Sequence, residues 1–367
     1  MKKYFYLIIL FAIITASCDI KKEQKANTEQ QPKKPKNIIL MIGDGMGLTQ
    51  MYATYKVKKD NMNIARCRHI GLVNTSSIDE LITDSAASGT AMATGEKTRN
   101  GHISVDTAGK RLKTILEVAE ANGKASGLVA TAAITHATPA SFIAHNPDRN
   151  DYEAIATDFL DTGIDVFIGG GLDHFDKRED GLLLTDSLVA KGYDVMTEKE
   201  ELLNYQGNQL AALLYAKHPP KVYEGRQDFL EKASNKAIEI LDKDKDGFFL
   251  MIESSQIDWG GHDNDADYVI QETVEFDDIV GKVLDFAEKD GETLVIITAD
   301  HETGGMTVTG GSLDGENLEY HFSTGHHTPL FVPLFAYGPG AEEFTGIYEN
   351  TAIFDKMMQV FGFENKE

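Results

Sequence analysis

The sequence predicts an α/β protein whose mainly parallel central sheet has helices on both faces, in three layers (α/β/α). Short apolar runs alternate with amphipathic stretches along the chain, which is typical of βαβ units. Several of these runs are nearly continuous in Val, Ile, Leu and Phe, as expected for strands that are covered on both faces. Side chains capable of catalysis or metal binding follow the runs, at the sheet edge where parallel sheets bind ligands.

The strongest apolar runs give the individual elements. Strands are predicted over residues 37–42, 71–74, 126–130, 165–168, 248–252, 293–298 and 330–336. Helices are predicted over residues 111–122, where apolar residues have helical spacing and Gly123 marks the end, and over residues 268–288. Residues 171–245 are more polar and less periodic. We therefore expect residues 37–367 to form a single domain with an insertion at about 171–245.

The first residues have the composition of an export signal. Lys2 and Lys3 precede an apolar run over residues 4–14, which is shorter than the roughly 20 residues of a spanning helix. Small residues directly before Cys18 resemble a bacterial lipobox, but Thr15 stands where leucine is usual. We expect residues 1–17 to be a signal peptide. The exported protein is then either periplasmic or attached to the membrane of the cell envelope by a lipid on Cys18.

Composition limits the partners. Residues 18–36 are rich in Lys, Gln and Pro, which predicts a flexible tether. The formal net charge of −23 argues against nucleic acid as a specific partner, because affinity for a polyanion comes largely from basic side chains that displace its counterions. Cys67 is the one cysteine besides Cys18, so the mature domain is predicted to have no internal disulfide.

The first two candidate segments combine glycine or small residues with one polar side chain. The strand at 37–42 runs into Gly43-Asp44-Gly45, a turn in which Asp44 either approaches a ligand or is simply solvated. Ser85 opens a helix of very small residues. It is either the N-cap or a nucleophile, since the positive end of a helix stabilises phosphoryl oxygens.

Three further segments supply cationic and metal-binding side chains. His136, Thr138 and Arg149 follow the strand at 126–130, and an arginine suits a tetrahedral anion or a surface salt bridge. Candidate ligands then follow the strands at 248–252 and 293–298 or precede the strand at 330–336: Glu253, Asp258, His262, Asp300, His301, His326 and His327. Asp with His suits zinc, whereas Glu, Asp and a hydroxyl suit magnesium.

Residues 242–247, with Glu253 in twelfth position, match the EF-hand loop pattern. An EF-hand needs a helix after its loop. Residues 248–252 are instead predicted to form a buried strand, so we expect a solvated turn here.

Taken together, these side chains suit phosphoryl transfer, in which two cations hold the attacking and leaving oxygens. At this point the sequence resembles the alkaline phosphatase family, from about residue 36 to about residue 363. The matching motifs are Gly43-Asp44-Gly45-Met46-Gly47, Asp84-Ser85-Ala86-Ala87-Ser88, His136-Ala137-Thr138-Pro139, residues 253–262, Thr298-Ala299-Asp300-His301-Glu302 and His327-Thr328. The resemblance implies the fold of this family and the hydrolysis of phosphate monoesters through a phosphoserine intermediate.

The resemblance also implies a role for each matching residue. Ser85 attacks phosphorus, and Arg149 binds two phosphate oxygens. Two Zn²⁺ and one Mg²⁺ are implied, with these ligands: Asp258, His262 and His327 for the first zinc; Asp44, Asp300 and His301, with Ser85, for the second; and Asp44, Thr138 and Glu253 for the magnesium. His327 fits the family spacing to residues 336–339, and His326 is the alternative.

Two positions vary within the family. His136 stands where many bacterial members carry Asp, and Trp259 stands where they carry Lys. At both positions this chain is similar to certain cold-active marine phosphatases. His136 would add a nitrogen near the third ion, which leaves the identity of that ion open. Trp259 removes a cation near the phosphate, which predicts weaker retention of the product.

Other functions stay open. A phosphodiesterase, phosphomutase or sulfatase of the same superfamily is one alternative, although no sulfatase maturation motif surrounds Ser85. A surface lipoprotein that captures phosphate or metal without turnover is another. The resemblance also leaves a homodimer open.

Overall fold

The structure, a computed structural model, describes residues 34–226 and 228–364, which belong to one compact unit. The predicted signal peptide, Cys18 and residues 18–33 of the predicted tether lie outside the described residues. No helix in the part that is described has both the length and the apolar character needed to cross a membrane.

The described residues form fourteen strands in one large and two small sheets. The strands are β1 Asn37–Gly43, β2 His69–Asn74, β3 Ala125–Ala133, β4 Val166–Gly170, β5 Asp194–Met196, β6 Leu210–Leu213, β7 Phe248–Ser254, β8 Thr293–Thr298, β9 Glu302–Thr303, β10 Met306–Gly310, β11 Glu319–Phe322, β12 His327–Thr328, β13 Val332–Tyr337 and β14 Gly346–Glu349.

Twelve α-helices connect or flank these strands within the same residues. They are α1 Leu48–Val57, α2 Ser85–Thr94, α3 Ile115–Ala121, α4 Ala137–Ala140, α5 Tyr152–Asp158, α6 Leu172–Asp176, α7 Leu184–Ala190, α8 Lys199–Leu202, α9 Phe229–Leu241, α10 Gln256–His262, α11 Ala266–Asp290 and α12 Thr351–Phe361.

The large sheet is mostly parallel, as predicted. Its strand order is β14-β2-β13-β8-β1-β7-β3-β4-β6-β5, and only β13 is antiparallel to its neighbours. Every residue of β1, β3, β4, β7 and β8 is buried, which requires cover on both faces of the sheet.

The register of the central strands positions the candidate side chains. Ile42 at the end of β1 lies opposite Glu253 of β7 on one side and Thr298 of β8 on the other. On the far side of β7, Ala130 of β3 also lies opposite Glu253. The segments that follow these four strands therefore leave the sheet at the same edge.

Helix starts differ from the prediction in two places. The helix predicted at 111–122 begins at Ile115, because Thr114 and Glu117 form a reciprocal capping box. Ser85 is not an N-cap, since the carboxylate of Asp84 accepts the hydrogen bond from the Ala87 amide and caps α2. Ser85 thus keeps its hydroxyl for other contacts.

Residues 171–245 extend the large sheet rather than lying apart from it. They supply β6 and β5, which continue the sheet beyond β4, and α9, which packs against β3 and β4. Whether this segment is an insertion stays a prediction.

The segment with the EF-hand pattern is a turn between α9 and β7. Gly247 has a φ of 89°, and β7 begins at the next residue. The absence of a following helix agrees with the expectation that this segment is not an EF-hand.

Candidate active site

Ser85 lies at the centre of a group of buried polar side chains. It is the first residue of α2 and is almost fully buried. Its Oγ is 3.2 Å from Nε2 of His301, which follows β8. That nitrogen is also 3.2 Å from Oδ2 of Asp300 and 3.5 Å from Oδ1 of Asp44. A hydroxyl, an imidazole and two carboxylates thus converge at the N-terminus of a helix.

The turn after β1 explains the glycines around Asp44. Gly45 has a φ of 71°, and a Cβ on it would lie 2.7 Å from the Cα of Asp258. Its amide donates to Oδ1 of Asp300 at 3.1 Å. Only glycine fits this close approach of the turn to α10 without strain.

A second group contains Asp258 and His262 of α10 with His327 of β12. The two Nε2 atoms are 3.1 Å apart, and each lies 3.4–3.5 Å from a carboxylate oxygen of Asp258. Nδ1 of His262 donates to the Gly325 carbonyl and Nδ1 of His327 to the Thr83 carbonyl, both at 2.8 Å. These bonds direct both Nε2 lone pairs at the same point, as in metal-binding histidines.

A third group adjoins the first through Asp44 and consists of Asp44, His136 and Glu253. One potential ligand atom of each lies within 4.8 Å of the others. Thr138 of α4 is fully buried, and Glu253 is the penultimate residue of β7, between β1 and β3. Asp44 contributes to this group and to the first one.

The groups of ligands in the structure differ in one detail from the ligand sets predicted from the sequence. The close triad around His301 contains Asp44 and Asp258, so Asp258 reaches two of the three groups. Asp300 still contacts His301 directly. His327 is half-buried inside the second group, whereas His326 is exposed, which favours the predicted choice between them.

The buried polar atoms of these groups have the chemistry of cation sites. Among the described residues, six of these atoms form no hydrogen bond of ordinary geometry: both carboxylate oxygens of Asp44, Oδ2 of Asp300, Oε1 of Glu253, Oγ1 of Thr138 and Nδ1 of His136. Buried carboxylates without a partner are costly unless a cation neutralises them. Oxygen and imidazole donors suit zinc and magnesium, so the residues present fit metal ions.

The crowding of these titratable side chains shifts their pKa values. Burial, followed by the charge of Asp300, raises the pKa of Asp44 well above its usual range, and burial raises the pKa of Glu253 to about 7. Burial, followed by the charge of Arg149, lowers the pKa of His136 to about 3. Because a bound cation favours ionised carboxylates and neutral imidazoles, cations would relieve this repulsion.

The pKa values of Asp258 and His262 shift in the opposite directions. Burial alone would raise the pKa of Asp258, but hydrogen bonds with His262 and His327 hold it well below its usual range. The hydrogen bond with Asp258 also raises the pKa of His262 to about 9.

Arg149 and Trp259 border the groups. Nη1 of Arg149 pairs with Oδ2 of Asp84 at 2.9 Å, and that oxygen also accepts from the Gly101 amide. Asp84 thus caps the helix of Ser85 and orients the guanidinium beside it. Trp259 of α10 meets His136 edge to face, with ring centroids 6.1 Å apart.

Sequence reasoning missed three contacts of this site. Oγ1 of Thr303 bonds Asp258 and Nδ1 of His301, Asp84 orients Arg149, and His218 packs against both His136 and Trp259. Thr303 and Asp84 are adjacent to predicted residues, and this proximity was the available signal. His218 lies in the polar segment at 171–245, where no pattern distinguishes it.

Comparison with known proteins points to one family. The family model for alkaline phosphatase matches residues 35–321. Alkaline phosphatase 3 of Bacillus subtilis is 32% identical, over 100% of this chain and 98% of that protein.

Solved structures give the same result. The alkaline phosphatase from the Antarctic bacterium TAB5 is 43% identical, with a TM-score of 0.87 over 91% of this chain and 100% of that one. A variant of the TAB5 protein, with aspartate in place of one histidine, has magnesium bound in a site named M3 and matches equally well, at 42% identity and a TM-score of 0.87. The chain belongs to the alkaline phosphatase family.

Proposed function

We propose that this protein hydrolyses phosphate monoesters to an alcohol and inorganic phosphate, with Ser85 carrying the phosphoryl group between two displacements. The main support is the position of the Ser85 hydroxyl, 3.2 Å from His301 Nε2 and beside carboxylates whose buried oxygens form no hydrogen bond of ordinary geometry in the described part of the chain. A protein that only captured phosphate would have no use for a nucleophile in that position.

We assign the cations to the three groups. Asp258, His262 and His327 hold one Zn²⁺; Asp44, Asp300 and His301, beside Ser85, hold the second; and Asp44, Thr138 and Glu253 hold Mg²⁺. When bound, these ions neutralise the phosphate, lower the pKa of the serine hydroxyl and supply Lewis-acid activation of water. The magnesium in the M3 site of the TAB5 variant supports a third ion in this family. His136 adds a nitrogen at the corresponding group here.

In the first displacement, Ser85 gives up its hydroxyl proton and its Oγ attacks phosphorus in line with the ester oxygen. The bond from phosphorus to that oxygen breaks, and the alcohol leaves after taking up a proton. Arg149, oriented by Asp84, holds two non-bridging oxygens through its planar N–H pair. Free amides at the start of α2 add to this stabilisation.

In the second displacement, water attacks the phosphoserine on the face that the alcohol has left. The bond from phosphorus to Oγ breaks, phosphate is released and Ser85 regains its proton. Trp259 supplies no positive charge at the site, so the release of phosphate is not opposed by a lysine there.

We also propose that the protein is exported, with residues 1–17 removed. It is then either free in the periplasm or attached through a lipid on Cys18, and it forms a homodimer. Mass spectrometry of the mature N-terminus distinguishes a lipid on Cys18 from a free amine, and light scattering gives the mass of the assembly.

The decisive experiment is Ser85→Ala. Hydrolysis of p-nitrophenyl phosphate should fall by more than about a thousandfold, because the covalent route is lost. Zinc and magnesium content should not change. Ser234→Ala is the control, since it also removes a buried helical hydroxyl, on α9, and should keep full activity. Residual activity within tenfold of the wild type would refute the phosphoserine route.

Substrate comparison separates the alternatives. The rate with p-nitrophenyl phosphate should exceed the rates with bis-p-nitrophenyl phosphate and p-nitrophenyl sulfate, because Arg149 suits a doubly charged terminal phosphate. A preference for the diester or the sulfate would assign another superfamily activity, and phosphate binding without turnover would indicate a capture protein.

A further inference from the structure

His218 lies in the segment that follows β6, outside every motif that predicted the site. The carbonyl of the preceding residue, Lys217, accepts from the Gly171 amide at 2.6 Å. The carbonyl of the next residue, Pro219, accepts from Nε2 of Gln256 at 2.9 Å. The backbone around His218 is therefore fixed from both sides, by the end of β4 and the start of α10.

The imidazole itself is held in one orientation. Nδ1 of His218 accepts a hydrogen bond from the amide of Ala133, the last residue of β3, at 3.1 Å. A backbone amide can only donate, so Nδ1 must carry the lone pair and the neutral ring carries its proton on Nε2.

The other side of the ring faces two residues of the candidate site. The ring centroids of His218 and Trp259 are 5.0 Å apart at 85°, and those of His218 and His136 are 5.7 Å apart at 87°. His136 and Trp259 meet at 83°. All three pairs are thus perpendicular, at distances where edge-to-face contacts are favourable.

This arrangement reaches the third group of ligands. His136 is half-buried and shares that group with Asp44 and Glu253, and its buried Nδ1 has no hydrogen bond among the described residues. No side-chain hydrogen bond in the described part of the chain therefore fixes that nitrogen. The ring plane of His136 depends on the surfaces that pack against it, two of which are His218 and Trp259.

We propose that His218 is a positioning residue for the third cation. The Ala133 amide sets the plane of the His218 ring, and the His218 ring sets the planes of His136 and Trp259. The His136 nitrogen is thereby directed at the point where the oxygens of Asp44 and Glu253 also meet. This proposal uses the assignment of a metal ion to that group, but its main measurements need no turnover.

The test separates two features of His218: the acceptor that binds the Ala133 amide, and the ring that packs against its neighbours. His218→Asn keeps an acceptor for the Ala133 amide and removes the ring, whereas His218→Phe keeps a ring and removes the acceptor. Trp259 is the sole tryptophan of the chain, so intrinsic tryptophan fluorescence reports directly on this contact. Mg²⁺ is titrated into zinc-loaded protein while tryptophan emission and melting temperature are followed.

For His218→Asn we expect a nearly unchanged melting temperature, a red-shifted emission and about tenfold weaker Mg²⁺ binding, the size typical of lost outer contacts to a metal ligand. For His218→Phe we expect emission near that of the wild type but a lower melting temperature. His69→Asn is the matched control, because this half-buried histidine begins β2, which four strands separate from β3 in the large sheet. It should leave the emission and the Mg²⁺ affinity unchanged.

Wild-type emission and Mg²⁺ affinity in His218→Asn would overturn the proposal, as would equal effects in His69→Asn. If the wild-type protein proves inactive on monoesters, the proposed function fails, but the Mg²⁺ titration still decides the role of His218.

Discussion

Two groups of buried carboxylates in this protein are neutralised in different ways. Glu272 and Glu275 of α11 contact the guanidinium of Arg226, which is fully buried. Asp44, Glu253 and Asp300 are also fully buried, yet among the described residues none of them has an ion pair with Lys or Arg. In the first group the chain supplies the cation, and in the second the cations must come from solution. Burying these carboxylates is costly in both regions. In the first region an arginine of the chain offsets that cost, and in the second region the same cost favours the binding of metal ions.

The largest expected effect comes from removing the external cations. EDTA should lower the rate with p-nitrophenyl phosphate by more than about a thousandfold, because Ser85 and the phosphate lose their charge compensation. Zinc with magnesium should restore the rate. Urea unfolding should still be cooperative after chelation, since the Arg226 cluster needs no metal. Full activity in EDTA would contradict the conclusion that the second group of carboxylates is neutralised by cations from solution.

The next effect concerns the cluster that the chain neutralises itself. Arg226→Met should lower the free energy of unfolding by about 3 to 4 kcal/mol, because the buried carboxylate of Glu272 and the largely buried one of Glu275 lose their partner. Zinc and magnesium per chain should stay the same. Arg66→Met is the control, since Arg66 pairs with the exposed Asp285 and Glu288 and should cost less than about 1 kcal/mol. Equal losses in the two variants would contradict the special role of burial.

A smaller effect is expected when a positively charged side chain is added beside the carboxylates that bind metal. Trp259→Lys places an ammonium group beside His136 and the phosphate, so inhibition by inorganic phosphate should become roughly tenfold stronger through added charge attraction. Product inhibition of p-nitrophenyl phosphate hydrolysis measures this directly. Unchanged or weaker inhibition in the variant would refute the role assigned to Trp259.

The smallest effect involves a partly buried ion pair in which the histidine gains or loses its charge with pH. His145 is bonded to Glu117 and to the Ser104 carbonyl. Burial alone would lower the pKa of His145, but these contacts raise it. A raised pKa in the folded state gives stability that is present below about pH 6.5 and is lost as the pH rises through the folded value.

His145→Gln should therefore lower the free energy of unfolding by roughly 1 kcal/mol at pH 5.5 and by less at pH 9. Urea titrations of both proteins at the two pH values measure the difference. A loss that did not depend on pH would mean that the charge on His145 contributes nothing.

The central sheet was predictable because its strands are continuous apolar runs. β8 has the predicted bounds, and β1 and β7 differ only at their ends. The strand predicted from residue 330 begins instead at Val332, since Leu330 and Phe331 are exposed. The strand β5 at one edge of the sheet and its neighbour β6 were missed, because three or four residues in a polar segment give no periodicity.

The convergence of the predicted site residues was also predictable, because parallel strands end at one edge. The sequence could not show that Asp258 reaches two groups, since this depends on the close approach of the Gly45 turn to α10. Nor could it indicate His218, whose contacts depend on how the segment after β6 packs beside α10. The roles assigned to the site residues stay predictions until the variants are measured.

The strand order has a consequence for how the chain acquires its metals. β1 lies between β7 and β8, so the side chains around Ser85 meet only after pairings between distant parts of the sequence. Such long-range contacts make folding slow. Metal ions therefore bind only nearly complete molecules, and by binding the folded state they lower the equilibrium fraction of unfolded chains that a protease can cut.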